Sequence, residues 1–259
     1  MGVQQLLKQS DGIVGIVRDS RDISRALGRV TKLSRRSKNI DSYLAAHPIK
    51  KLQLGAGPTA LKGWLSTDID ARPEHVEYLD VTKPFPFADD TFDYVYSEHV
   101  IEHVSWQNGA FMLSESKRIL KPGGKIRIAT PDLSVLLNLY QNRQDPAAQR
   151  YISWITDRYL PGVDIESPIF VINNAFRNWG HQFLYDGELM ALAMKKAGYA
   201  NIKRYAMGES DDEQLCEVEA HGKNLGIQEM AAFETMVYEA ECPMAIYPPA
   251  AADRGRQNS

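Results

Sequence analysis

The chain has 259 residues, of which 44% are hydrophobic and 24% charged, and its formal net charge is −3. A globular protein of this size and composition can bury an ample core. No apolar run approaches the roughly 18 residues of a membrane span, and the start MGVQQLLKQSDG lacks the basic-then-apolar order of a signal peptide. We therefore expect one cytoplasmic domain with appendages. The two cysteines, Cys216 and Cys242, have no metal-ligand spacing and fit a reducing compartment.

The first 40 residues are basic, with nine Lys or Arg against three Asp. Four apolar residues recur there at helical spacing and predict an N-terminal helical extension over residues 1–45: Ile23, Leu27, Val30 and Leu33. Its basic face is either simply solvated, or it contacts an anionic glycan or lipid head group, or it forms a lid or a dimer arm. Nucleic acid is not expected as a partner, because the rest of the chain is acidic.

The segment KLQLGAGPTALKGWLSTDID, residues 51–70, is the most informative part of the chain. An apolar strand runs into Gly55-Ala56-Gly57, and a second strand ends on acids. Glycine has no side chain to keep a ligand off the backbone, and Asp68 at the tip of the next strand can accept hydrogen bonds from two ribose hydroxyls. The pattern predicts a nucleoside site in an open α/β sheet. A dinucleotide site fits less well, because Ala60 replaces the third glycine.

Residues 76–129 predict three further strands in the same sheet. A short strand ends at Leu79-Asp80, a Pro-rich loop follows, and the residues from Phe92 to Tyr96 alternate as a strand. LKPGG at 120–124 then indicates a helix end and a turn before a strand over 125–129.

In this order, these segments resemble the class I S-adenosylmethionine-dependent methyltransferases, in particular the branch with GxGxxxxxGWxNxD, PFPF, DxFDxVxxxHVLEH and LKPGG signatures. The resemblance covers roughly residues 50–206. It implies an α/β fold: a Rossmann-like seven-stranded methyltransferase sheet with helices on both faces and an antiparallel last strand. It also implies S-adenosyl-L-methionine as cofactor, bound by a domain over residues 46–220.

The resemblance also implies a role for individual residues. The two glycines would lie under the methionine part of the cofactor, Asp68 would take the ribose hydroxyls, and Asp80 with the Val81 backbone would bind the adenine amino edge. Gln53 stands where the family usually has an acid, so it could meet the ammonium group only through its uncharged carbonyl oxygen. The full expected cofactor-binding set is Gln53, Gly55, Ala56, Gly57, Asp68, Ile69, Asp80, Val81, Ser97 and Glu98.

Residues 141–180 predict an insertion that caps the open end of the sheet. The segment is rich in aromatic residues and is interrupted by three prolines, so short helices are expected. In this fold class the equivalent region usually shapes the acceptor pocket, although a simple packed cap is an equal alternative. The residues expected to line that pocket are Tyr185, Trp179 and Tyr96.

The remaining segments predict the end of the domain. Asp186 is expected to cap a helix that ends at Gly198. Residues 201–206 and 214–220 resemble the closing hairpin of the methyltransferase sheet, and residues 221–259 are expected to form a helix and a flexible tail.

The sequence His99-Val100-Ile101-Glu102-His103 also matches an inverted zinc-peptidase motif. Two histidines four residues apart on a helix share a face and can bind one metal ion, with Glu102 as base. The resembling methyltransferases carry the same letters at this position with no metal, so the expectation is that no metal is bound and the peptidase is a remote alternative.

The expected function is methyl transfer to a small polar acceptor, with a hydroxyl of a sugar or glycan precursor favoured. Such a reaction depends mainly on alignment and on exclusion of water, and an oxygen acceptor must also lose a proton. The candidate bases are His181, His103 and His99, each of which has an alternative as a hydrogen-bonded structural residue. A non-catalytic nucleoside-binding module remains the rival interpretation, and a homodimer is left open.

Overall fold

The computed structural model describes residues 33–70 and 75–244, and its centre is one seven-stranded sheet. The strands are β1 Lys51–Leu54, β2 Leu65–Asp68, β3 Val76–Tyr78, β4 Phe92–Glu98, β5 Leu120–Pro131, β6 Ala200–Tyr205 and β7 Thr235–Glu241. Their order across the sheet is β3-β2-β1-β4-β5-β7-β6, and β7 runs antiparallel to both of its neighbours. The predicted methyltransferase sheet with an antiparallel last strand is confirmed.

Helices follow the strands along the chain. They are α1 33–46, α2 Trp106–Ile119, α3 Leu133–Gln141, α4 Pro146–Tyr159, α5 Pro168–Arg177, α6 Gly187–Lys196, α7 His221–Leu225 and α8 Gln228–Glu234. Five of these described helices begin at a side-chain cap, namely Ser105, Asp132, Asp145, Ser167 and the predicted Asp186. Residues 1–32, where most of the basic extension was predicted, lie outside the described residues, as do residues 245–259 of the predicted tail.

One face of the sheet is apolar and packs against helices. Leu52, Val95 and Ile126 lie side by side on this face, because they are paired in register across β1, β4 and β5. They are fully buried in one cluster with Met112 of α2 and Met194 of α6. Period-two alternation sends the intervening residues to the opposite face.

That opposite face is polar, and in the described residues the irregular segment 206–220 covers it where helices were expected. Arg127 on β5 is fully buried there, with Nε 2.6 Å from Glu219 and Nη1 2.5 Å from Glu239. The link between β1 and β2 has only ten residues, so it is too short to hold the crossover helix that usually covers this face.

The strand predicted at 214–220 is wrong, because the last strand is β7 at Thr235–Glu241. The alternation in QLCEVEA mimics a strand. Its apolar residues Leu215 and Val218 instead pack on Trp64, while Glu219 pairs with Arg127. Residues 221–241 therefore contribute two short helices and a strand to the domain.

The region predicted as a cap has its own core. Buried residues of α3, α4 and α5, among them Leu136, Tyr151 and Val171, form a second cluster beside the sheet. Among the described residues, no helix is long and apolar enough to cross a membrane.

Candidate functional site

A cavity of about 640 Å³ lies at the carboxyl ends of β1, β2 and β4. This is the edge of an open α/β sheet where ligands bind. Its wall contains the loop after β1, the acids at the ends of β2 and β3, and the start of the segment after β4. The size is typical of a small-molecule site.

The loop after β1 presents bare backbone to this cavity. Gly55 and Gly57 have φ angles of +67° and +54°, a left-handed conformation that favours glycine. A Cβ at Gly55 would lie 2.0 Å from Cγ2 of Val100, so the backbone there is in direct contact with the segment after β4.

Gln53 holds this loop in place. Its side chain is buried, and its amide oxygen accepts hydrogen bonds from Leu61 N at 3.0 Å and Ser66 Oγ at 2.7 Å. The amide nitrogen donates to Thr59 O at 3.0 Å. The side chain predicted to meet the cofactor is thus engaged on both ends with the loop itself, although it also lines the cavity.

Asp68 ends β2 and lines the cavity. One carboxylate oxygen accepts from Gly57 N at 2.8 Å and the other from Asp70 N at 2.6 Å. These bonds fix the orientation of the carboxylate, and each oxygen keeps a second lone pair for a ligand hydroxyl. The acid and the glycine loop are therefore one preorganised unit.

Asp80 follows β3 and also lines the cavity. One oxygen of its carboxylate accepts from the Thr82 backbone at 2.9 Å and from the Thr82 hydroxyl at 2.7 Å. Leu79, Val81 and Ile69 add apolar surface to the same wall. The two acids and this apolar surface thus line one cavity, a combination suited to a flat ring with polar groups at its edge.

Hydrogen bonds to α7 and to the residue before it border the cavity on another side. Glu98 accepts from Ala220 N at 3.0 Å and His221 N at 3.1 Å, and Asn224 donates to Thr59 Oγ1 at 2.5 Å. Both His221 and Asn224 line the cavity, and sequence reasoning missed them. They carry no recognisable spacing, since they lie more than 120 residues from Glu98 along the chain.

Four of the six histidines of the chain meet at the rim of this cavity. The rings of His99 and His221 lie 4.6 Å apart, and those of His103 and His181 lie 4.9 Å apart. Glu102 lies between the pairs, fully buried, and accepts from His99 Nδ1 at 3.0 Å. His99 and His103 line the cavity, whereas His181 reaches the cluster from the cap side.

The surroundings shift the pKa values of these groups in opposite directions. Burial lowers the pKa of His99, but the hydrogen bond and the charge of Glu102 outweigh it and raise the pKa to about 9. Burial acts to raise the pKa of Glu102, yet the bond and charge of His99 lower it overall. Burial lowers the pKa of His181, and burial together with the charge of His99 lowers that of His221 to about 4.

The residues predicted to line an acceptor pocket are only partly brought together. Trp179 is 43% exposed and its ring lies 5.7 Å from that of His181. As a correction, Tyr96 and Tyr185 are fully buried in the core, because β4 turns Tyr96 towards Trp64 and because Tyr185 packs between Trp106 and Phe183. Ser97 is also fully buried, outside the cavity wall.

The helix needed for a peptidase motif is not formed. Residues Ile101–His103 make a single 3-10 turn, and His99 before it has a φ of +51°. The two histidines of the motif therefore do not lie on one α-helical face.

Residues 59–128 match a family model described as a methyltransferase domain. The matched segment contains Asp68, Asp80, Glu98 and the HVIEH stretch, and the sheet order is that of the same fold class. This stretch of the chain is therefore similar to a methyltransferase domain. The resemblance seen in the sequence is thereby confirmed, with S-adenosylmethionine as the cofactor of the class.

Solved methyltransferase structures are similar to this chain at low identity. A chain of the Haloferax volcanii complex of the Trm112 methyltransferase activator is 16% identical, with coverage of 90% of this chain and 100% of that one, and a TM-score of 0.44. A methyltransferase of Archaeoglobus fulgidus is 15% identical, with coverages of 82% and 93% and a TM-score of 0.41. No curated protein sequence matches the chain.

Haemonchus contortus phosphoethanolamine N-methyltransferase 2, solved with S-adenosyl-L-methionine, is 18% identical with a TM-score of 0.42. The match covers 80% of this chain and 53% of that chain, so this chain spans about half the length of that relative.

The residues of the cavity fit this cofactor. The bare loop at Gly55 and Gly57 lets a ligand approach the backbone, and Asp68 and Asp80 each retain acceptor capacity for the hydroxyl and amino groups of an adenosine. The apolar wall between them suits the adenine ring. The neutral Gln53 and the carboxylate of Glu98 line the same cavity and would be the groups available to the ammonium end.

Proposed function

We propose that this protein transfers the methyl group of S-adenosylmethionine to a hydroxyl of a small polar acceptor, and that the acceptor is a sugar or glycan precursor. The observation that carries the proposal is that the cavity lined by Asp68 and Asp80 also has three histidines in its wall, one of which, His103, contacts His181 on the cap side. The bound cofactor supplies an electrophilic methyl group on a sulfonium.

The chain's own residues bind and orient the cofactor. Asp68 and Asp80 hold the adenosine at the ends of β2 and β3, and the loop fixed by Gln53 supports the remainder. His221 and Asn224 cover the cavity, which excludes water from the place where the acceptor meets the methyl group.

The histidine cluster supports oxygen as the acceptor atom. A hydroxyl is neutral at pH 7 and must lose its proton as it attacks, whereas a free amine can attack without a base. His103 lines the cavity and contacts His181, so an acceptor bound at this rim has groups beside it that assist proton loss.

The cap supports a sugar as the acceptor class. The exposed Trp179 ring lies 5.7 Å from the ring of His181, and the Tyr159 ring lies 5.1 Å from that of Trp179 at nearly a right angle. Such rings offer a flat apolar surface to the C–H face of a sugar, while the histidines offer polar atoms to its hydroxyls.

The experiment that tests the proposal is methyl transfer from labelled cofactor to a panel of nucleotide sugars. We expect turnover with the wild type and with a His75→Ala control, since His75 is exposed and lies before β3. His103→Gln should lower kcat by about 10²- to 10⁴-fold, because assistance to proton transfer is lost. Turnover of His103→Gln equal to that of the control would contradict the assignment of the cluster to proton removal.

A non-catalytic nucleoside-binding module is the second candidate. It is favoured by Gln53, whose amide oxygen already accepts two hydrogen bonds, so the usual acid for the ammonium group is missing. Binding of S-adenosylhomocysteine without methyl transfer to any sugar, amine or carboxylate acceptor would favour this candidate.

A further inference from the structure

Three side chains of the histidine cluster converge on one point. Ligand atoms of Glu102, His103 and His181 all lie within 4.8 Å of one another. Bonds of about 2.1 Å to a divalent ion place neighbouring ligand atoms about 3 to 3.5 Å apart. Side-chain rotations that move the three ligand atoms by about 1 Å therefore bring them to the spacing of a metal site. Two histidines with one carboxylate form a common catalytic metal site that leaves positions open for water or substrate.

The protonation of His181 suits a metal ligand. Its Nδ1 lies 2.8 Å from the carbonyl oxygen of Ala175. A carbonyl oxygen can only accept, so Nδ1 carries the proton and Nε2 holds the free lone pair. A histidine held by a backbone carbonyl in this way is the usual arrangement around a bound ion.

Glu102 is likewise oriented by its neighbours. Thr130 Oγ1 donates to one carboxylate oxygen at 3.0 Å and His99 Nδ1 contacts the other at 3.0 Å. Each oxygen keeps a lone pair. The carboxylate is fully buried, so these two hydrogen bonds hold it in one orientation.

The backbone fixes the spacing of the three groups. Gln182 N and Phe183 N donate to the carbonyl oxygen of Glu102 at 2.8 and 3.2 Å, and Gln182 Nε2 donates to His103 O at 2.8 Å. The segment that carries His181 is thus tied to the turn that carries the other two residues, although 78 residues separate His103 from His181. Preorganisation of this kind is what a metal site requires.

We propose that Glu102, His103 and His181 bind a divalent transition ion such as Zn²⁺. We further propose, in a step that rests on the proposed function, that an open position on this ion takes the hydroxyl oxygen of the acceptor. The ion lowers the pKa of the bound hydroxyl, so its O–H bond breaks, the electron pair stays on oxygen and the proton passes to water. His103 and His181 then assist proton loss as ligands.

The test is metal binding by the full chain, measured without any substrate. The protein is freed of metal with a chelator and titrated with Zn²⁺ by calorimetry, and Co²⁺ is added to a second sample to record its visible absorption. We expect one ion per chain for the wild type and for His75→Ala. His181→Ala and Glu102→Gln should lose affinity by at least about 100-fold, and Thr130→Val by about 10- to 100-fold.

Folding is checked separately, through the affinity of each variant for S-adenosylhomocysteine. A variant that retains this affinity and loses Zn²⁺ supports the site. The inference is overturned if the wild type binds no stoichiometric ion, or if His181→Ala with intact nucleoside affinity binds Zn²⁺ as tightly as His75→Ala does.

Chelation separates this inference from the proposed function. Methyl transfer that stops on chelation and returns with Zn²⁺ supports the inference. Methyl transfer that continues unchanged in the metal-free protein overturns the role of the ion and leaves the proposed function standing. Binding of Zn²⁺ through these three residues with no transfer to any hydroxyl overturns the proposed function and supports the site.

Discussion

Gly55 lies where backbone conformation and tertiary contact both demand glycine. Its φ of +67° costs other residues about 1 to 2 kcal/mol, and a Cβ would also overlap Val100 Cγ2 at 2.0 Å. Gly57 has the same kind of φ, at +54°, but no atom lies within 4 Å of a Cβ built there. The two positions therefore separate backbone strain from steric overlap.

We predict that Gly57→Ala lowers the free energy of unfolding by about 1 to 2 kcal/mol and that Gly55→Ala lowers it further. Adding Val100→Ala to Gly55→Ala should recover part of the difference, since the overlapping methyl group is removed. Urea unfolding of the single and double variants measures this coupling. Equal destabilisation by the two glycine substitutions would refute the contact between the loop and the segment after β4.

Residues whose role is set by the end of a strand could be predicted from the sequence. Asp68 ends β2 and Asp80 follows β3, and parallel strands of one sheet bring their carboxyl ends to the same edge. The meeting of His103 with His181, and of Glu98 with α7, depends on how distant segments fold back. No local pattern contains that information, so His221 and Asn224 were missed.

At the scale of elements, α2 holds the PFPF loop through two charged side chains. Glu115 accepts from Phe85 N at 2.7 Å, and Arg118 donates to Phe87 O at 2.8 Å and contacts Glu115 at 2.8 Å. The hydrogen bond from Arg118 is the main cause of a lowered pKa at Glu115, although burial opposes it. This loop leads into β4 and so helps to set the register of the strand that carries Glu98.

A lowered pKa in the folded state means that ionised Glu115 stabilises the fold above the ordinary value of 4.5 and that this contribution fades as the pH falls through the folded pKa. We predict that Glu115→Gln lowers the free energy of unfolding by about 1 kcal/mol at pH 7, because the pair is only partly screened. The difference from wild type should shrink below pH 4.5. A difference that stays constant between pH 7 and pH 3 would contradict this role.

Helices with capping residues were predicted more reliably than the last strand. Asp186 caps α6 as predicted, because a capping carboxylate accepts a hydrogen bond from backbone within its own turn. The segment QLCEVEA alternates as a strand does, yet its Glu219 forms an ion pair with Arg127 of β5. That buried partner decides the conformation, and it lies 92 residues away from Glu219.

At the scale of the whole molecule, the sheet is a standard one whose two faces are covered differently. The apolar face packs on α2 and α6, and the polar face is covered by segment 206–220, which ends at the contacts between Glu98 and α7. One irregular segment thus connects the buried ion pairs of Arg127 with α7, which borders the cofactor cavity. The fold class follows from strand order and turns, whereas this cover depends on a short link between β1 and β2.

Binding of S-adenosylhomocysteine by calorimetry tests the central claim most directly. We predict one site per chain in the wild type and in the exposed α4 control Asp157→Asn. Affinity should be at least about 100-fold weaker in the double variant Asp68→Asn, Asp80→Asn, because two charge-assisted contacts of about 1.5 kcal/mol each are lost. Circular dichroism confirms that the double variant is folded. A folded double variant that binds as tightly as the wild type would contradict the account.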